Sequence, residues 1–307
     1  ITSVNSGATL DFGDGSGALL GSNNVAEIIT LKGGTLRDNT TAAAQTIFNS
    51  AIALLGVNNT ISTVTALDET RITAQIIGTP DADGGTIGLQ PANLVIGGSG
   101  TVTLQNAANQ WNGTTTVNAG ATLQLGLNSA GSIGGLGDII NDGTVITNTN
   151  NGHLVLGNKI SGSGNFVTNR NTVYLAADNT YTGTTLVTPR AGENVGVELR
   201  VGLDTYTGSL GTGDVTVAAG TFNGTSGDAN LRYHLNDDFT VSNTFNLNPN
   251  IDTQTTPDPK NVTFLRQGLS TMTINGTLNI GLTSVSTGTQ RAILQNEGGG
   301  KLVFSGT

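Results

Sequence analysis

The stretch NQWNGTTTVNAGATLQLG, residues 109–126, decides the fold of this chain. Its two short runs TTTV and ATLQL alternate apolar and polar residues, and Asn-Gly and Ala-Gly pairs precede them. A period of two is typical of β-strands with one buried face. Glycine and asparagine accept the positive φ angles of tight turns. The stretch therefore predicts short strands joined by tight turns, with Val117, Leu123 and Leu125 facing the interior.

An altered copy of this stretch returns later in the chain. At an offset of 70 residues the two copies share an Asn, an aromatic residue and a Gly, which pair as Asn109/Asn179, Trp111/Tyr181 and Gly113/Gly183. Residues 2–13 match the second half of this repeat, and residues 298–307 resemble its first half. We therefore expect residues 1–307 to be a single domain, cut from a longer repetitive protein in the middle of a repeat at both ends.

The composition narrows the fold class. The chain has 45 glycines, only 6 prolines, 11% charged residues and no cysteine, while Thr, Val, Ile and Leu recur throughout. This profile does not fit a disordered chain, and the glycines lack the three-residue period of collagen. Aromatic residues are too scarce for a sandwich or a propeller, so we predict an all-β chain folded as a parallel β-helix (β-solenoid) of about 20–25 residues per coil. Residues 42–55, AAAQTIFNSAIALL, are compatible with a helix as well as with strands.

Charge and hydropathy exclude two classes of partner. The net charge is −9, and the 12 Lys and Arg residues are spread thinly. No basic stripe is present that could neutralise a phosphate backbone, so we expect no nucleic acid partner. No apolar run reaches the roughly 18 residues that a membrane span needs, so we expect no direct membrane insertion of this segment.

The segment GSGTVTLQNAANQWNGTTTVNAGATLQLG, residues 98–126, resembles the autotransporter-associated β-strand repeat of bacterial type V passenger domains. Residues 179–202 follow the same pattern more loosely. The resemblance implies a right-handed parallel β-helix with protruding loops. It also implies export through the inner membrane and then through an outer-membrane barrel encoded downstream of Thr307. The expected location is therefore the bacterial cell surface or the extracellular medium.

The sequence shows no arrangement typical of catalysis. It has no G-x-S-x-G motif, and the absence of cysteine excludes a thiol nucleophile. We interpret His153 as a turn residue. Asp81 and Asp83, in DADGG, fit a turn better than a calcium loop, and no Cys/His constellation for zinc occurs. We expect no enzyme activity, no catalytic residues, no metal and no cofactor.

Residues typical of interfaces gather in the region 223–261, which we expect to be a loop-bearing insertion. Aromatic residues and arginine dominate binding hot spots, and they are scarce in the repeats. The candidate binding residues are Arg232, Tyr233, His234, Asp237 and Asp238, together with the loop from Asn248 to Lys260. The prolines of that loop argue against a central strand and favour protrusion.

Passengers of the resembled family serve as adhesins, self-associating surface proteins, toxins or secreted ligands of host cells. We therefore expect a virulence-type adhesin that binds protein or glycan on a host or neighbouring cell, and a second copy of the chain is a further expected partner. The alternatives are a released effector that engages a host receptor, a structural stalk or fibre, and a β-helical polysaccharide lyase. The repeat indicates the scaffold and the export route rather than the activity.

Overall fold

The computed structural model describes residues 1–12, 28–39, 45–78, 92–133, 137–150, 152–190, 195–202, 208–219, 227–248, 261–281 and 291–306. Within these ranges every regular element is a β-strand and there is no helix. The prediction of an all-β chain is therefore confirmed. A helix was the alternative for residues 42–55. The described part of that segment, residues 45–55, contains two strands.

The first half of the chain is a succession of short strands. They are β1 (Thr2–Asn5), β2 (Thr9–Phe12), β3 (Ile29–Lys32), β4 (Thr35–Asp38), β5 (Gln45–Phe48), β6 (Ile52–Leu54), β7 (Asn59–Thr63), β8 (Glu69–Ile72), β9 (Ile76–Gly78), β10 (Leu94–Gly98), β11 (Thr101–Leu104), β12 (Thr115–Val117), β13 (Thr122–Ser129), β14 (Ile139–Asn141) and β15 (Thr144–Thr149).

The second half continues in the same way. Its strands are β16 (His153–Leu156), β17 (Ile160–Ser161), β18 (Asn165–Thr168), β19 (Asn171–Leu175), β20 (Thr185–Val187), β21 (Val197–Val201), β22 (Val215–Ala218), β23 (Ala229–His234), β24 (Phe239–Val241), β25 (Phe245–Asn248), β26 (Asn261–Gln267), β27 (Thr271–Ile274), β28 (Leu278–Ile280), β29 (Arg291–Glu297) and β30 (Lys301–Phe304).

Residue contacts divide the chain into two compact units. Unit 1 comprises Ile1–Asn150 with Ser161–Gly164, and unit 2 comprises Asn151–Ile160 with Asn165–Thr307. Unit 1 contains sheets in the order β1-β3-β6-β9, β2-β4-β7-β10-β12-β14 and β5-β8-β11-β13-β15. Unit 2 contains sheets in the order β16-β19-β21-β23-β26-β29, β18-β20-β22-β25-β28 and β24-β27-β30.

The order in which the chain visits these sheets makes the architecture β-helix-like. In unit 2 the chain passes from β23 to β24 to β25 and then through β26, β27 and β28 of the same three sheets. Each strand pairs in parallel with the strand one circuit later, as β23 does with β26 and β26 with β29. One circuit takes from 19 residues, between Phe166 and Thr185, to 35 residues, between Asn59 and Leu94. This range is wider than the 20–25 residues expected from the sequence.

Alternation places the predicted interior residues of the opening stretch in the core. Val117, Leu123 and Leu125 have no exposed surface. Leu123 lies in register with Val102 and Val145 of the neighbouring strands, so apolar side chains stack from one coil to the next. On the other face, threonines occupy one register position in three successive strands, namely Thr101, Thr122 and Thr144. Threonine and β-branched residues suit this half-buried, pleated surface.

The aromatic residue of each repeat copy is buried against a threonine four residues further on. Trp111 donates from Nε1 to Thr115 Oγ1 at 3.1 Å, and the Tyr181 hydroxyl shares a hydrogen bond with Thr185 Oγ1 at 2.6 Å. A Cβ at Gly113 would collide with the side chain of Asn93 and the backbone of Ala92, so only glycine fits there. The repeat motif is therefore a packing motif.

The region 223–261 is only partly described. Its described residues are 227–248 and Asn261, the first residue of β26. Residues 227–248 contain β23, β24 and β25, all of which pair in register within the sheets of unit 2. The predicted loop from Asn248 to Lys260 lies outside the described residues, apart from Asn248 at the end of β25.

Candidate binding surfaces

Strand β23 carries three of the five predicted binding residues, and its alternation separates them. Arg232 and His234 are partly exposed on one face of the sheet, whereas Tyr233 points into the core and is 1% exposed. Residues adjacent in a strand point to opposite faces. The cluster predicted from the sequence is therefore divided between the outside of unit 2 and its interior.

Tyr233 is part of an aromatic core. Its ring centroid lies 5.5 Å from that of Phe239, 5.8 Å from that of Phe264 and 6.5 Å from that of Phe245. The hydroxyl has no hydrogen-bond partner among the described residues. Burial raises the pKa of the Tyr233 phenol well above its usual range, so the group stays protonated and able to donate.

Arg232 belongs to an outward-facing group of side chains, which we call the Arg–Glu cluster; its members are Tyr174, Glu198, Arg200, Arg232 and Gln267. Glu198 accepts hydrogen bonds from Arg200 Nε at 2.7 Å and from Arg232 Nε at 2.8 Å. Arg232 also donates from NH1 to Gln267 Oε1 at 2.8 Å. One carboxylate thus holds two guanidinium groups from successive coils.

The aromatic end of the Arg–Glu cluster is Tyr174. Arg200 donates from NH1 to the Tyr174 hydroxyl at 2.7 Å, and its guanidinium carbon lies 5.1 Å from the centre of the ring. His153 stacks edge-on against the other side of the pair, with its centroid 5.6 Å from that of Tyr174. The interpretation of His153 as a turn residue is wrong, since it is the first residue of β16.

The exposure of the cluster is intermediate. The side chains of Arg200 and Arg232 are 27% and 23% exposed, and that of Glu198 is 13% exposed. Partial burial strengthens the ion pairs, because less water screens them than at an open surface. It also leaves part of each arginine side chain accessible to solvent. The cluster can therefore offer oriented N–H donors to a partner.

Asp237 and Asp238 lie beyond the end of β23, in the wall of a cavity within unit 2. The cavity has a volume of about 650 Å³ and is lined by residues 178–179, 208–212, 233 and 235–243. Its apolar lining includes Leu210 and Phe239. Tyr233 contributes to the same wall, so three of the five predicted residues meet here.

The polar lining of the cavity is acidic. Asp178, Asp237 and Asp238 are exposed carboxylates, and no described residue that lines the cavity is Lys, Arg or His. Asp238 accepts the backbone N–H of Thr271 at 2.6 Å, which fixes its orientation. The nearby Arg266 is buried, and burial lowers the pKa of its guanidinium while the charge of Asp238 opposes that effect.

Two further features bear on function. In the described ranges, no group of three or more His, Cys, Asp or Glu side chains is placed to hold a metal ion. The same ranges contain no helix with the length and hydropathy that crossing a membrane requires. Asp81 and Asp83, which we interpret as turn residues, lie outside the described residues.

Most of the Arg–Glu cluster was not among the residues predicted from the sequence. Tyr174, Glu198 and Arg200 lie in strands whose alternating pattern, TVYL and VELRV, is clear in the sequence. That pattern places all three on one face of their strands, but it does not show which strands pair.

Comparison with known proteins found no matching family model, no matching curated protein and no matching solved structure.

Proposed function

We propose that this chain is part of a bacterial autotransporter passenger, a right-handed parallel β-helix exported to the cell surface or the medium. The strands pair in parallel, and the chain visits the same three sheets in turn on each circuit, which supports the β-helix. Parallel crossover connections are right-handed in nearly all proteins, which supports the handedness. The equivalent packing of Trp111 and Tyr181 supports the repeat on which the family resemblance depends.

In this proposal the chain acts by binding protein or glycan on a host or neighbouring cell, without enzyme activity. The observation that carries the binding function is the Arg–Glu cluster. It places two arginines and a tyrosine on one outward face, in a chain of which only 11% is charged. Arg and Tyr are the residue types most enriched in binding hot spots. The strands that carry these side chains are held in place by parallel hydrogen bonding, so less conformational entropy is lost when a partner binds.

Binding to cells tests this part of the proposal. The purified chain carrying Arg200→Ala and Arg232→Ala together should bind target cells about tenfold or more weakly than the unchanged chain, as expected for two hot-spot residues. Arg291→Ala is the matched control, because Arg291 is an exposed arginine of β29 in the same sheet. Equal binding by the double variant and the unchanged chain would exclude the cluster as the binding surface.

Antibody labelling tests the proposed location. Antibodies raised against unit 2 should label intact bacteria that make the natural full-length protein, or should detect it in the medium. Labelling that appears only after cell lysis would contradict export. Detection only in the medium would favour a released effector over an adhesin that stays on the cell.

A further inference from the structure

The cavity of unit 2 has the size of a small-molecule site. Its volume of about 650 Å³ falls within the range of roughly 300–1,000 Å³ that is usual for ligand pockets. It shares no residue with the Arg–Glu cluster. It is therefore a separate feature of the chain, and the proposed binding of cells does not account for it.

The framework of the cavity is held rigidly by buried amides. Asn179 donates from Nδ2 to the backbone oxygens of Ala177 and Ser209 at 3.0 and 2.7 Å. Asn243 donates from Nδ2 to the backbone oxygens of Gly211 and Gly213, both at 2.8 Å. These bonds tie successive coils together around the cavity, so the backbone framework of the site is formed before a ligand arrives.

The charges around the cavity select for a cation. Asp178, Asp237 and Asp238 contribute three negative charges, and no described lining residue is a base. The net charge of the whole chain, −9, adds a field of the same sign. An anionic ligand would be repelled, whereas an ammonium group would gain from each carboxylate that it approaches.

The remaining lining supplies apolar contact and one hydrogen-bonding group. Phe239 is half-buried and stacks on Tyr233 with 5.5 Å between their ring centroids. Aromatic faces attract ammonium groups in addition to packing against alkyl groups. The Tyr233 hydroxyl is buried without a partner in the described structure, and a buried hydroxyl in that state costs free energy. The hydroxyl oxygen has almost no accessible surface, so a ligand oxygen accepts its proton when the Tyr233 ring shifts slightly toward the cavity.

We propose that this cavity binds a small organic cation, an ammonium compound that also carries a hydroxyl group. The ammonium group faces Asp178 and Asp237, the alkyl part lies against Phe239 and Leu210, and the hydroxyl accepts a hydrogen bond from Tyr233. The carboxylates, the aromatic ring and the buried hydroxyl donor therefore each contact a different part of the ligand.

A pair of isosteric probes tests the charge requirement. Choline and 3,3-dimethylbutan-1-ol have the same shape, but only choline carries a positive charge. In calorimetric titrations at about 0.01 M salt, where the screening length is about 30 Å, choline should bind at least about tenfold more tightly than the alcohol. Backbone NMR shifts should centre on residues 235–243. Equal affinity of the two probes, or no choline binding at millimolar concentration, would overturn the proposal.

Single substitutions test the placement. Asp237→Asn keeps the shape and removes the charge, so it should weaken choline binding about fivefold or more. Tyr233→Phe should weaken it about fivefold while leaving the fold intact. The control is Asp214→Asn, since Asp214 is an exposed carboxylate of unit 2 outside the cavity. Unchanged choline affinity in both Asp237→Asn and Tyr233→Phe would place the binding elsewhere and refute the site.

Discussion

Asn109 and Asn179, one in each unit of the chain, each make three hydrogen bonds to backbone groups of three coils. The Oδ1 atom of Asn109 accepts the backbone N–H of Ile76 in the preceding coil at 2.9 Å. Its Nδ2 atom donates to the backbone oxygen of Asn106 in its own coil at 2.9 Å and to that of Ser132 in the next coil at 3.0 Å. One buried amide therefore connects three coils.

Asn179 repeats this pattern in unit 2. It accepts from the N–H of Ile160 at 2.7 Å and donates to the oxygens of Ala177 and Ser209 at 3.0 and 2.7 Å. Only an amide has both the acceptor and the two donors that this position requires. The conserved spacing of the two repeat copies therefore has a structural cause.

Asn109→Ala should destabilise the chain by about 3 kcal/mol, because it removes three hydrogen bonds and leaves buried backbone groups without partners. The free energy of unfolding in urea measures the loss. Asn118→Ala is the control, since Asn118 is exposed on the other side of the same repeat, and should change stability by less than about 0.5 kcal/mol. Similar losses in the two variants would contradict the role of Asn109.

Tyr181 should make the stability fall at alkaline pH. Burial raises the pKa of Tyr181 to about 12, whereas an unfolded tyrosine titrates near pH 10. Between these values the unfolded chain loses the proton and the folded chain keeps it, so stability falls as the pH rises. From pH 9 to pH 11 the unchanged chain should lose about 1 kcal/mol more than Tyr181→Phe. Urea unfolding at both pH values checks this, and equal losses would contradict it.

Glu198→Gln should cost about 1–2 kcal/mol, because two partly buried guanidinium groups lose their shared counter-charge. Glu297 provides the control. Its carboxylate lies 4.0 Å from Arg232 NH1 and its side chain is 39% exposed, so Glu297→Gln should have almost no effect. The two free energies of unfolding, compared at low and high salt, measure the difference. We expect high salt to reduce the stability lost in Glu198→Gln and to bring it closer to that lost in Glu297→Gln. If the two losses did not change with salt, the ion pairs would not be the cause of the destabilisation.

Arg266→Met should destabilise unit 2 by about 2 kcal/mol. The Arg266 guanidinium donates to the backbone oxygens of Gly268 and Ser270 inside a turn. Methionine removes both hydrogen bonds and leaves the Ser270 oxygen with only the N–H of Lys301. The exposed Arg291→Met serves as control. Hydrogen exchange should show faster opening of residues 261–274 in Arg266→Met alone, and equal protection in the two variants would refute the role.

The strands β29 and β30 should support self-association at high concentration. Leu294 and Phe304 are 41% and 47% exposed, although their register partners Phe264 and Ile274 are fully buried. Exposed apolar edge strands are templates for pairing with another chain. Leu294→Lys together with Phe304→Lys should lower the sedimentation-derived mass at high concentration, whereas Ile140→Lys, in the interior strand β14, should not. A mass independent of concentration in the unchanged chain would contradict this.

The strand pattern of the repeats could be predicted because it is local. Alternation over four or five residues decides which side chains are buried, and Val117, Leu123 and Leu125 are buried as predicted. The same rule applied to ANLRYHL, residues 229–235, places Arg232 and Tyr233 on opposite faces. Both are candidate binding residues in the sequence, and the alternation separates them between the two faces of β23.

The Arg–Glu cluster could not be predicted in the same way. Arg232 and Glu198 are 34 residues apart, and Arg200 and Tyr174 are 26 apart. These separations differ because the circuits differ in length, from 19 to 35 residues. No fixed period in the sequence therefore indicates which residues of successive coils become neighbours.

The sequence by itself determined the all-β class, the strand alternation and the Asn-aromatic-Gly-Thr motif, because each depends on residues within a few positions of one another. Only the tertiary structure decided that Glu198 joins two arginines and that Tyr233 faces a cavity beside Asp237 and Asp238. These neighbours come from different circuits or from turns after a strand. Which residues become neighbours depends on the register of parallel pairing. The number of residues in each circuit sets that register.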